Sequence, residues 1–81
     1  MNPEQVAAMI QAGLAGARAT VTSDDNVHFE AVVIAPQFAG KRALQRHQLV
    51  YGALGSAMGN EIHALALQVF TDEEFASQGR G

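Results

Sequence analysis

The sequence predicts an α+β domain in which a three-stranded sheet packs on helices, in the element order αββααβα. Three observations carry that expectation. Capping signatures open helices near both ends of the chain, "NPEQ" at Asn2 to Gln5 and "TDEE" at Thr71 to Glu74. Two β-type runs flank a polar cluster at Ser23 to Asn26. From Lys41 to about Met58 the apolar period is three and four residues, and it drops to two in "HALALQVF". At 81 residues the chain reads as one domain, 1–81, with one modest core, since domains this small bury only about 60–65% of their unfolded surface.

The elements follow in order. Asn2 supplies a cap side chain, Pro3 a preset φ and Gln5 a reciprocal partner, so a first helix runs from Pro3 to about Leu14. Its apolar stripe is Val6, Met9, Ile10 and Leu14, and Gly13 and Gly16 mark the exit. "ARATVTSDDNVHFEAVVIAP" is a hairpin around Ser23, Asp24, Asp25 and Asn26, short polar residues that bond their own backbone in turns. Pro36 ends the second strand because it has no N–H for the ladder. The turn around "QFAGK" makes the short extra helix of the αββααβα order. The main helix, Lys41 to about Met58, places Leu44, His47, Tyr51, Leu54 and Met58 on one face, flanked by Ala43 and Val50, and Arg42, Arg46, Leu49 and Ala53 on the other. Gly52 and Gly55 weaken it by up to about 1 kcal/mol each, which predicts a bend or an early end. Leu65, Leu67 and Val69 alternate in the third strand, and the capped last helix gives way to a fraying "SQGRG".

Composition narrows the function. Hydrophobic residues make up 48% and charged residues 16% of the chain, a globular balance rather than a disordered one. No cysteine is present, so neither disulfides nor a self-sufficient thiolate metal site can form. No stretch approaches the about 18 apolar residues of a membrane span. "MNPEQ" lacks the basic start of a signal peptide, and the expectation is a cytoplasmic protein that contacts no membrane. A net charge of −3 argues against sequence-independent binding to phosphate backbones, which Lys and Arg drive. With no nucleophilic cysteine, no Gly-rich phosphate loop after a strand and no Ser-His-acid spacing, the chain reads as non-enzymatic.

Several spaced motifs point to one family. Phe38 and Gly40 precede the main helix, Arg46, His47, Val50 and Tyr51 form its Arg-His-x-x-Val-Tyr core, and Ile62 to Leu65 spell Ile-His-Ala-Leu at the third strand. With the threonine-initiated ending "TDEEF", these resemble the BolA family, which commonly carries a tryptophan where Phe75 stands. The likeness covers about Val27 to Phe75 well, and the first helix in pattern. It implies a class II KH-like fold and, as partner, a monothiol glutaredoxin that shares a [2Fe–2S] cluster and supplies glutathione. It also implies the ligands. A loop between the first two strands provides Cys in some members and His in others, and the Ile-His-Ala-Leu histidine provides a second; His28 and His63 match those positions.

His28 and His63 lie far apart in sequence, so only folding can bring them together. If the two strand starts share one end of the sheet, both imidazoles face one iron, as two histidines do in Rieske-type centres, while the partner brings thiolates to the other. The chain would then carry half a site, which accounts for the missing cysteine. Ligation requires the neutral imidazole. His47 and Tyr51 are in phase with Leu44 and Leu54 and read as packed core. Lys41, Arg42 and Arg46 are the basic cluster. It is a solvated helix face, a surface steering the glutaredoxin close to the cluster contact, or a phosphate contact in a helix-turn-helix-like unit. The Gly-x-x-Gly at Gly52 to Gly55 sits inside the helix rather than in the turn before it, where KH domains clamp nucleic acid. Glu30, in phase with His28, is the neighbouring carboxylate that could orient it or simply be solvated. A stress-linked transcriptional regulator that binds DNA through the main helix is the competing class, and self-association as a weak homodimer stays open.

Overall fold

Local capping chemistry starts the chain as the sequence predicts. Asn2 Oδ1 accepts the Gln5 backbone N–H at 2.8 Å and Gln5 Oε1 accepts the Asn2 N–H at 2.8 Å, which satisfies two of the donors a helix start leaves unpaired. Helix α1 (Pro3–Gly13) follows in this computed structural model, which describes residues 1–78. Its stripe Val6, Ile10 and Leu14 is buried.

Strand β1 (Arg18–Thr22) pairs antiparallel with β2 (His28–Ile34), and β2 pairs parallel with β3 (Ala64–Phe70). The sheet order is β1-β2-β3. A parallel pair needs a crossover, which helix α2 (Ala43–Leu54) provides. Alternation along β2 buries Phe29, Ala31 and Val33 against α1 and α2, and leaves His28 and Glu30 exposed on the other face. That second face stays open, a shallow groove bordered by Thr20, Thr22, Glu30, Ala66 and Gln68.

The extra helix of the predicted order is a single 3-10 turn, Pro36–Phe38, which buries Phe38. Gly40, at φ 75°, turns the chain out of it. Helix α2 is shorter than Lys41 to Met58. Gly55 caps it at φ 56°, a conformation that side chains disfavour, and a second 3-10 turn, Gly55–Ala57, follows.

The buried face of α2 differs from the predicted one. Leu44 is 69% and Tyr51 39% exposed, and His47 is half-buried beside Tyr51, their rings edge to face at 6.3 Å. The core receives Leu54 from the predicted face and Val50 from its flank, together with Ala57, and Leu49 from the predicted outer side packs partly against it. Of the predicted stripe, only Leu54 is fully buried, and Met58 packs partly against the core. The cause is tertiary. α1 crosses so closely at Gly13 that a Cβ there would lie 2.5 Å from Ala53 Cβ, so α2 must turn its small Ala53 inward and carry Leu44 and Tyr51 outward.

Helix α3 (Asp72–Gln78) begins with a second reciprocal cap: Thr71 Oγ1 accepts the Glu74 N–H at 3.2 Å and Glu74 Oε1 accepts the Thr71 N–H at 2.8 Å. No α3 residue is buried. The helix is held by Phe75 against Phe70, ring centroids 5.7 Å apart, by Asp72 paired with Arg18, and by Glu74 bonded to Arg46 on α2. The fraying expected of "SQGRG" falls, from residue 79 on, outside the described residues. No helix among the described residues is long and apolar enough to cross a membrane.

Candidate functional site

Because β2 and β3 are parallel, they start at the same end of the sheet. His28 is the first residue of β2 and lies opposite Ala64, the first of β3. His63 precedes Ala64 directly, and its backbone N–H donates to Val27 O at 3.1 Å. The register therefore sets the two histidines one residue step apart at one rim. His63 is exposed, and its ring makes no hydrogen bond among the described residues.

The five-residue turn from Ser23 to Val27 fixes the His28 side. Ser23 Oγ donates to His28 O at 2.6 Å and accepts the Asn26 N–H at 2.9 Å, while Asn26 takes the left-handed conformation at φ 58° that asparagine tolerates. The Asp25 carboxylate gathers three further contacts. Oδ1 accepts the backbone N–H groups of His28 and Val27 at 2.8 and 3.0 Å, and Oδ2 lies 2.7 Å from His28 Nδ1. The His28 N–H bond, the His28 ring and the Val27 N–H together hold the Asp25 carboxyl well below the usual carboxylate range. The imidazole itself is 68% exposed. It borders an open groove of about 440 Å³ with Thr22, Asp24, Glu30, Ala64 and Ala66.

Sequence reasoning missed Asp25. It weighed Glu30, which is in phase on the strand, but the carboxylate that reaches the ring comes from the turn three residues upstream. The signal was the Ser-Asp-Asp-Asn run itself, whose side chains fold back on the backbone that follows.

The basic residues are elsewhere. β2 begins at His28 and ends at Ile34, and the chain enters α2 from that second end, so Lys41 and Arg42 lie toward the rim opposite His28. Helix α2, which bears Arg42 and Arg46, thus begins at the rim opposite the two histidines. Arg46 also departs from a solvated cluster. Its side chain is only 12% exposed. Nη1 and Nη2 donate to Glu74 Oε1 and Oε2 at 2.6 and 3.1 Å, Nε donates to Lys41 O at 2.9 Å, and Nη1 reaches Val69 O at 3.3 Å. The guanidinium carbon lies 5.8 Å from the centroid of the Phe38 ring. Arg46 thus ties α2 to β3 and α3. The pair holds Glu74 down to about 2, mainly through the Arg46 hydrogen bonds, and raises Arg46. Lys41 and Arg42 are exposed.

Among the described residues, no group of three or more His, Cys, Asp or Glu could hold a metal ion. The chain places two exposed imidazoles at one rim of the sheet, with no thiolate anywhere in its sequence.

Comparison with known proteins covers most of this frame. Residues 9–74 match the family model of the BolA-like proteins. The DNA-binding transcriptional regulator BolA of Haemophilus influenzae is 43% identical over 51 residues, which are 63% of this chain and 50% of that protein. Its namesake in Escherichia coli is 34% identical over 58 residues, 72% of this chain and 55% of that protein. The chain thus spans about half the length of these curated relatives. A bolA protein homologue from Coxiella burnetii superposes with a TM-score of 0.86 at 43% identity, covering 94% of this chain and 97% of that one. With the family model matched from the middle of α1 into α3 and the whole fold reproduced, the chain belongs to the BolA-like protein family.

Proposed function

We propose that this protein is a non-enzymatic binding module that pairs with a monothiol glutaredoxin and shares a glutathione-ligated [2Fe–2S] cluster with it. His28 and His63 hold one iron, and the role is cluster trafficking and assembly or the sensing of iron and stress. The supporting observation is the common rim: parallel pairing of β2 and β3 sets both strand starts, and so both imidazoles, at one end of the sheet. Family membership and the absence of cysteine agree with a half-site completed by a thiolate donor.

Anaerobic reconstitution with a monothiol glutaredoxin and glutathione tests the proposal. A visible spectrum distinct from that of the glutaredoxin homodimer, and lost in His63→Ala, is the expected result. An unchanged spectrum in His63→Ala contradicts it.

A second reading rests on the opposite rim. Lys41 and Arg42 are exposed where α2 begins, and the relatives in Haemophilus influenzae and Escherichia coli carry the name of DNA-binding regulators. A transcriptional regulator using that end would hold a duplex through phosphate contacts, and its affinity would fall steeply with salt. Sub-micromolar duplex binding at physiological salt, abolished by Lys41→Ala with Arg42→Ala and indifferent to glutaredoxin, would favour it over the first.

A further inference from the structure

We infer that Asp25 is the positioning residue of the His28 imidazole: it fixes the ring in the tautomer protonated at Nδ1, so that Nε2 is the nitrogen presented to a metal. The inference rests on the reading of His28 as a ligand, and deepens it by naming the ligating atom and the group that selects it.

The argument is one of donors and acceptors. An ionised carboxylate only accepts hydrogen bonds. Asp25 Oδ2 lies 2.7 Å from His28 Nδ1, so Nδ1 must carry the proton. A neutral ring then leaves its lone pair on Nε2. The carboxylate cannot swing away to permit the other tautomer, because Oδ1 is pinned by the backbone N–H groups of His28 and Val27 at 2.8 and 3.0 Å. Ser23, bonded to the His28 carbonyl and the Asn26 N–H, braces the same turn. The ring is 68% exposed, so packing does not orient it. The carboxylate does. Metal-ligating histidines are held this way elsewhere, with the distal N–H donated to a carboxylate. Here the device is complete before any metal arrives, and it lets a five-residue turn aim a ligand without a longer loop.

Asp25→Asn inverts the polarity at constant shape, which separates positioning from support of the turn. Two backbone N–H groups demand an acceptor, so the amide oxygen takes the place of Oδ1 and the NH2 faces the ring. Nδ1 must then accept, and the proton moves to Nε2. The first readout is two-bond 15N–1H correlation of the His28 ring in the full-length chain without cluster, at a pH where the ring is neutral. The wild type should show Nδ1–H as the major form and Asp25→Asn should show Nε2–H. The second readout is the mixed complex with glutaredoxin, glutathione and iron and sulfide. Asp25→Asn should lower cluster retention by about 10- to 100-fold, the usual cost of losing such a partner, and move the visible circular dichroism toward that of His28→Ala. Asp25→Ala, which frees the ring, should fall between the wild type and Asp25→Asn. Nε2–H as the major form in the wild type, or a tautomer unmoved by Asp25→Asn, overturns the role of Asp25 alone. A tautomer that obeys Asp25 beside a cluster spectrum indifferent to His28→Ala overturns the ligand reading, and the metal role of Asp25 with it.

Discussion

The two ends of the sheet use the same chemistry, a carboxylate bonded to a cationic or imidazole side chain, for opposite purposes. At the far end Arg46 spends Nε, Nη1 and Nη2 on Lys41 O, Val69 O and Glu74. Four of its five N–H groups are bonded, and the knot closes α2, β3 and α3 on one another. At the near end Asp25 satisfies two backbone donors and one ring nitrogen of His28, while the other ring nitrogen makes no hydrogen bond among the described residues. Exposure follows the same division: 12% for the Arg46 side chain against 68% for His28. A largely buried polar cluster whose bonds run between its own elements is architecture. One that leaves an exposed ring nitrogen unbonded is a candidate site.

The comparison can be broken or sharpened by substitution. Leu54 sits in the core that both ends share, so Leu54→Ala should cost about 2–5 kcal/mol in urea denaturation and disturb both ends alike. Arg46→Ala should cost about 1–2 kcal/mol, discounted because Glu74 is partly exposed and water screens the pair. Its NMR shifts should move in α3 and at the end of β3 and leave the His28 and His63 rings in place; ring shifts of equal size would show the two ends to be one unit.

Acid should act next. Glu74 is held at about 2, below its ordinary 4.5, so the folded state binds this proton less readily than the unfolded chain does. The stability it contributes is full above about 4.5 and drains away as pH falls toward about 2. Asp25 contributes with the same sign. Denaturation series at successive pH values should show a decline that Glu74→Gln reduces. The smallest effect belongs to the outer face of α2. Leu44→Gln should change stability by less than about 0.5 kcal/mol, since Leu44 is 69% exposed.

Legibility in the sequence followed the range of the interactions. Asn2 with Gln5 and Thr71 with Glu74 are local pairs, and the structure keeps both. Pro36 stops β2 for a reason internal to the residue. The face of α2 was not legible in the same way. Its periodicity permits a stripe through Leu44, His47 and Tyr51 and another through Arg46, Val50 and Ala53, and the choice is made by Gly13 pressing on Ala53 and by Glu74 claiming Arg46. Neither partner lies within the helix. An arginine on an inward face also hides its aliphatic stem from a pattern scored by charge.

The site divides likewise. His28 and His63 stood out through family motifs, and the parallel pairing that sets them at one rim is tertiary. Lys41 and Arg42 stand apart from them because β2 carries the chain to the other end of the sheet before the crossover through α2 begins. Asp25 was hidden because a strand pattern points to in-phase Glu30, whereas the turn delivers its carboxylate from outside the strand.

Pulsed electron paramagnetic resonance on the reduced mixed complex, with this chain alone labelled by 15N-histidine, tests the half-site most directly. Two histidine nitrogens should couple to the cluster spin, one vanishing in His28→Ala and the other in His63→Ala. A cluster that forms with glutaredoxin yet carries no nitrogen coupling from this chain would contradict the account.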